Sequence, residues 1–137
     1  MADDSALALQ QAAVAQLKGD ATLSALVAAR IYDEPPQGVA FPYVRIGNVD
    51  VTPFRDSCTT ADELRLSIEC HSRPNAGRVE ATRMAAAVRR SLDQAALTLS
   101  GFILEWIDFT TQAVTRAPDG KSYIAIVAFE VSVAPAP

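Results

Sequence analysis

Glu63-Leu64-Arg65-Leu66-Ser67-Ile68-Glu69-Cys70-His71 alternates between polar and apolar side chains without a break. A period of two sends successive side chains to opposite faces of a strand. The run therefore predicts a strand with Leu64, Leu66, Ile68 and Cys70 on a buried side. Glu63, Arg65, Ser67, Glu69 and His71 fall on a side that meets water or a partner. Toward the N-terminus, Thr52 to Thr60 contains Pro53, Arg55, Asp56 and Ser57, follows neither the strand nor the helix period, and reads as a loop. Before it, Phe41-Pro42-Tyr43-Val44-Arg45-Ile46 reads as a first strand with Pro42 at its start or on an edge. Pro35-Pro36-Gln37-Gly38 breaks any helix ahead of that strand.

Helices flank these strands. Ala6 to Leu17 is rich in Ala, Leu and Gln and places Ala6, Leu9, Ala13 and Leu17 near one stripe. Ser5 is its expected cap, Asp3 and Asp4 suit its N-terminal end, and Gly19 is expected to close it in a left-handed conformation. A shorter helix follows over Ala21 to Ala28, after which Ile31 and Tyr32 lead to extended chain. Past His71, Asn75 or Gly77 opens a second main helix whose buried stripe is Ala81, Met84, Ala85, Val88 and Leu92. Phe102 to Phe109 is rich in strand formers and extends toward Thr115. Pro118-Asp119-Gly120 supplies turn chemistry, and Tyr123 to Val133 returns as the last strand. These two strands are the predicted centre of the sheet.

The expected fold is α+β: an antiparallel four-stranded sheet with two main helices packed on one face. No repeat or linker divides the chain, so residues 1–137 form a single domain with an ordered core over about 5–133. The last strand is apolar on both sides of its alternation, with Ile124 and Ile126 opposing Tyr123, Ala125, Val127, Phe129, Val131 and Val133. Neither side suits full solvation, and burial by a neighbouring copy is the simplest remedy.

Hydrophobic residues make up 50% of the chain and charged residues 20%, which is globular usage and excludes a disordered chain. The net charge of −4 excludes the positive field that nonspecific grip on DNA or on an anionic membrane needs. The N-terminus is acidic where a secretory signal is basic, and no stretch approaches the roughly 18–20 apolar residues of a membrane span, so neither export nor membrane contact is expected.

Catalytic chemistry finds few carriers. The only histidine is His71, the lysines are Lys18 and Lys121, and the cysteines are Cys58 and Cys70. His71 ends the clear strand on its polar side, which favours an exposed or capping residue over a base. Cys70 shares the side of Leu66 and Ile68 and reads as a core residue. Cys58 lies near Arg55, where either a plain surface thiol or a reactive one fits, the former being favoured. The acidic pairs Asp3/Asp4, Asp33/Glu34 and Asp62/Glu63 are sequence neighbours whose side chains need not converge. No metal, nucleotide or cofactor motif is present, so no catalytic, metal or cofactor-binding residue is assigned. Arg78, Arg83, Arg89 and Arg90 favour a solvated helical face over a nucleic-acid footprint, with a subunit contact as a third reading. Trp106 reads as a core aromatic or an interface anchor.

Taken in order, several landmarks resemble the tail-completion or tail-terminator (head–tail joining) family of long-tailed phages and gene transfer agents. They are Leu23-Ser24-Ala25-Leu26-Val27-Ala28-Ala29-Arg30-Ile31-Tyr32-Asp33, then Pro36-Gln37-Gly38-Val39-Ala40-Phe41-Pro42-Tyr43-Val44, then Leu64-Arg65-Leu66-Ser67-Ile68. The Arg/Ala-rich helix after Asn75-Ala76-Gly77 and the turn Pro118-Asp119-Gly120 complete the series. The resemblance implies a non-enzymatic subunit of a virion or gene-transfer-agent particle, assembled in the host cytoplasm. It implies a ring of copies, typically six, at the head-proximal end of the tail tube. That ring ends tube polymerisation, meets the tail-tube protein and a head-completion (stopper) protein, and lets DNA pass through its lumen without specific binding. It carries over no site residue. On physical grounds alone, Phe54, Arg55 and Asp56 are the candidate interface contacts, an aromatic anchor beside charges that set register. Two readings stand against this one: a small dimeric ligand-binding α+β domain, and a thiol- or His-dependent enzyme.

Overall fold

A computed structural model of the chain describes residues 4–55 and 60–137, Arg55 through its backbone only. The elements run α1 (Ser5–Lys18), α2 (Ala21–Val27), β1 (Ile31–Tyr32), β2 (Tyr43–Arg55), β3 (Thr60–His71), α3 (Gly77–Leu92), β4 (Phe102–Arg116) and β5 (Tyr123–Pro135). The strands form one five-stranded mixed sheet in the order β1-β2-β3-β5-β4. β1 lies parallel to β2, and the other neighbours are antiparallel. Among the described residues no helix is long and apolar enough to cross a membrane.

The alternation of β3 holds: Leu64, Leu66, Ile68 and Cys70 are buried, and they pair across the sheet with Val131, Phe129, Val127 and Ala125 of β5, also buried. The three helices cover this face. Ala81, Met84, Ala85, Val88 and Leu92 of α3 are fully enclosed against it, the alanines letting the helix sit close to the strands. Leu9, Ala13 and Leu17 of α1 join the same core, but Ala8 and Ser5 take the inward place expected of Ala6, which is only half-buried. Burial sets the register here: the Ser5 hydroxyl donates to Asp62 at 2.6 Å, so this end of the helix is anchored to β3. The cap falls accordingly on Asp4, whose carboxylate accepts from the Leu7 amide at 2.9 Å, and not on Ser5. Gly19 closes α1 at φ −83°, in right-handed and not left-handed geometry.

Three further expectations are corrected. The sheet has five strands and is not wholly antiparallel, because the two residues of β1 pair in parallel with Val44 and Arg45, fixed by the Val44 amide donating to the Arg30 carbonyl at 2.9 Å. Two residues show no period, so Ile31 and Tyr32 read only as the lead into extended chain and not as a strand of the sheet. Beside the two main helices, α2 forms where the short helix over Ala21 to Ala28 is expected. Of the expected loop from Thr52 to Thr60, residues 52–55 and Thr60 are strand, residues 56–59 lying outside the described residues: the ladder continues through Val51↔Leu64, Thr52↔Glu63, Pro53↔Asp62, Phe54↔Ala61 and Arg55↔Thr60. Pro53 is accommodated because this stretch of β2 is an edge beyond the reach of β1, where a missing amide donor can be one that would face outward. Finally, β3 and β5 are interior while β4 is an edge strand, so the last hairpin is not the centre of the sheet.

Candidate functional site

The face of the sheet turned away from the helices has no covering element among the described residues. Strand pleating and the pairing registers place its side chains in rows. One row runs Asp50, Arg65, Glu130, Asp108; the next runs Thr52, Glu63, Ser132, Trp106. Glu105, beside the register shift at Leu104/Trp106, accepts the Ser132 hydroxyl at 2.6 Å and so belongs to the same patch. Asp50, Glu63, Glu105, Asp108 and Glu130 are all exposed and share the patch with one cation, Arg65. None of these six groups forms an ion pair with another described residue.

Apolar surface lies among these charges. Trp106 is 41% exposed, Ile103 48%, Phe54 45% and Ile126 40%, values that a side chain packed in its own core does not reach. Trp106, Thr52, Glu63, Arg65 and Glu130 line a shallow depression. Exposed aromatic and aliphatic groups set among charges make a surface suited to another macromolecule, and the depression, about 170 Å³, is smaller than an ordinary ligand pocket. The expectation that β5 is apolar on both sides is met only in part. Ile124, Ile126 and Ala128 do face outward, but Glu130 and Ser132 continue the row, and Ser67, Glu69 and Arg65 of β3 stand beside them.

At the other end of this face, the His71 ring stacks on Tyr43 with centroids 4.6 Å apart, and its Nε2 lies 3.0 Å from Glu69 Oε1. Arg45 approaches the same carboxylate at 3.9 Å. Burial raises the Tyr43 phenol above its usual range, with smaller opposing effects from Arg45 and Glu69. His71 is thus engaged with neighbours. Cys70 points to the opposite face, into the core, where burial pushes its thiol well up and suppresses thiolate formation. Adjacent residues therefore direct their reactive atoms to opposite sides of the sheet, and no single cleft gathers them.

Of the candidate contacts, Phe54 projects from β2 opposite Ala61 on the uncovered face. The Arg55 backbone pairs with Thr60; Asp56 and Cys58 lie outside the described residues. Trp106 stands on the same face as Phe54, which makes it an exposed group and not a core aromatic. Arg78, Arg83, Arg89 and Arg90 are exposed on α3, with Arg89 3.9 Å from the centroid of the Phe109 ring. The alternation of Glu63 and Arg65 was visible in the sequence. That Asp108 and Glu130 pair directly was not, because register across a hairpin with two irregularities is set by the fold.

A family model for tail completion protein gp17 matches residues 11–134. The chain belongs to that family. The family is a structural one, so the resemblance read from the sequence is met. Among solved structures, a chain of the virion of a native gene transfer agent (GTA) particle is 30% identical, with a TM-score of 0.88 over 97% of this tail completion protein and 99% of that chain. The bacteriophage SPP1 gp17 protein shares 23% identity and superposes with a TM-score of 0.61 over 92% of this chain and 88% of its own, a likeness of fold. No curated protein sequence matches.

Proposed function

We propose that this tail completion protein is a virion subunit that forms a ring at the head-proximal end of a phage-like tail tube, six copies as the resemblance implies. The ring ends tube polymerisation and joins the tail to the head. The observation that carries this reading is the likeness to a chain of the gene transfer agent virion, at 30% identity over 97% of the present chain. The physical surface fits the role. An uncovered sheet face with exposed Trp106, Ile103 and Phe54 serves docking and not turnover. The net charge of −4 suits a conduit through which DNA slides without being held. The tail-tube protein and a head-completion protein are its expected neighbours, with Phe54, Arg55 and Asp56 among the contacts.

Deleting the gene in a producing strain tests this. The expected result is unjoined heads together with tube structures of irregular length in electron micrographs, both corrected by supplying the chain in trans. Joined particles of normal tail length from the deletion strain would remove the proposal. Replacing Phe54 and Arg55 with alanine is expected to abolish joining while leaving the thermal unfolding midpoint within a few degrees of the parent.

A further inference from the structure

Helix α3 and the uncovered face of the sheet carry opposite charge. α1 and α2 contain no carboxylate at all, and in α3 the sole acid, Glu80, is held by Arg73 at 2.9 Å. Against that stand Lys18, Arg78, Arg83, Arg89 and Arg90, all exposed on the helical side. The uncovered side of the sheet has the reverse balance: Asp50, Glu63, Glu105, Asp108 and Glu130 surround Arg65, and at its other end Arg45 is offset by Glu69 at 3.9 Å. Each side also offers apolar surface: Val79, 63% exposed, on α3, and Trp106 on β4.

From this polarity we infer that neighbouring copies meet head to tail, the arginine face of α3 on one copy seated against the acidic, Trp106-bearing face of the sheet on the next. This rests on the ring proposed above and specifies its contact. A two-fold contact through the sheet would set carboxylates against carboxylates, and one through α3 would set arginines against arginines; both are opposed electrostatically. Only the mixed contact pairs unlike charges while covering the exposed aromatic. Because the two surfaces lie on opposite layers, each copy retains one of each after pairing, so the contact propagates until it closes. A two-fold contact would stop at a dimer.

The test uses assembled particles carrying Cys58→Ser, which leaves the buried Cys70 as the remaining native thiol. Cysteines are placed on α3 (Arg83→Cys or Arg90→Cys) and on the sheet (Asp108→Cys or Glu130→Cys), and a short bifunctional thiol reagent is applied. Chains bearing one cysteine of each kind are expected to give a ladder extending beyond the dimer on non-reducing gels, and chains bearing either alone to give no linked product. Dimers from a single-cysteine chain, or no linkage from any combination in particles containing several copies, would overturn the inference while leaving the ring intact. Copy number per particle, measured by quantitative mass spectrometry, separates the cases, since one copy per particle removes the ring itself and the inference with it. Should a cysteine variant fail to enter particles, charge reversal supplies the second arm. Arg83→Glu with Arg90→Glu, or Asp108→Lys with Glu130→Lys, is expected to lose joined particles, and a chain carrying all four to recover them. Failure to recover, with each variant shown folded by circular dichroism, overturns the contact.

Discussion

Asp119 is an exposed carboxylate in the β4–β5 turn that accepts from the Lys121 amide at 2.8 Å, the Ser122 amide at 3.0 Å and the Ser122 hydroxyl at 2.7 Å. The Ser122 amide leads, followed by that of Lys121, in pushing its pKa down to about 2. A folded pKa below the unfolded value means that the ionised form holds the turn. The contribution is complete above the ordinary carboxylate range and is lost as pH falls through about 2. An acid titration of the Lys121 and Ser122 amide resonances is expected to show a midpoint near that value, absent in Asp119→Asn; a midpoint near 4 would show that the turn does not depend on the charge. Gly47 is constrained differently. A Cβ there would lie 2.5 Å from Ser67 Oγ, which is fixed by accepting the Asn48 amide at 2.8 Å. Gly47→Ala is therefore expected to cost about 1–3 kcal/mol in urea unfolding, and an unchanged midpoint would mean that the serine yields freely.

Helix α1 owes its start to Asp4, and Asp4→Ala is expected to lower stability by about 1 kcal/mol, read from thermal or denaturant unfolding. Met84 sits at the centre of the α3 stripe with no exposure, and Met84→Ala is expected to cost about 2–5 kcal/mol by leaving a cavity under the sheet. A loss below 1 kcal/mol would mean that the core closes around the gap. Long elements with a clean period were legible in the sequence: α3 and β3 bury the residues their spacing selects. What was not legible lacked a period or depended on distant partners. The cap of α1 shifted from Ser5 because Asp62 claims the serine hydroxyl, a contact 57 positions away. Pro53 masked a strand that its edge position permits, and β1 is too short to declare itself. The candidate site was half legible for the same reason: Glu63 and Arg65 alternate in plain view, whereas their meeting with Asp50, Glu130 and Asp108 requires the strand order β2-β3-β5-β4.

For the whole molecule, the opposition of a basic α3 face and an acidic sheet face predicts that the proposed contact between copies weakens as salt rises, since exposed charges are screened over about 8–10 Å at physiological ionic strength. Trp106→Ala is expected to leave the unfolding midpoint of the isolated chain nearly unchanged and to reduce joined particles at least tenfold. A large loss of stability in the isolated chain would return Trp106 to the core. Pro53 has a consequence of a different kind. It stands on the open edge of β2, which also carries the irregularity between Ile46 and Val49, and both features blunt an edge against zippering with a stray strand. An edge that declines to template fibrils keeps free copies of the chain from zippering together. Pro53→Thr should therefore leave the folded chain intact yet raise thioflavin-positive aggregate on prolonged incubation.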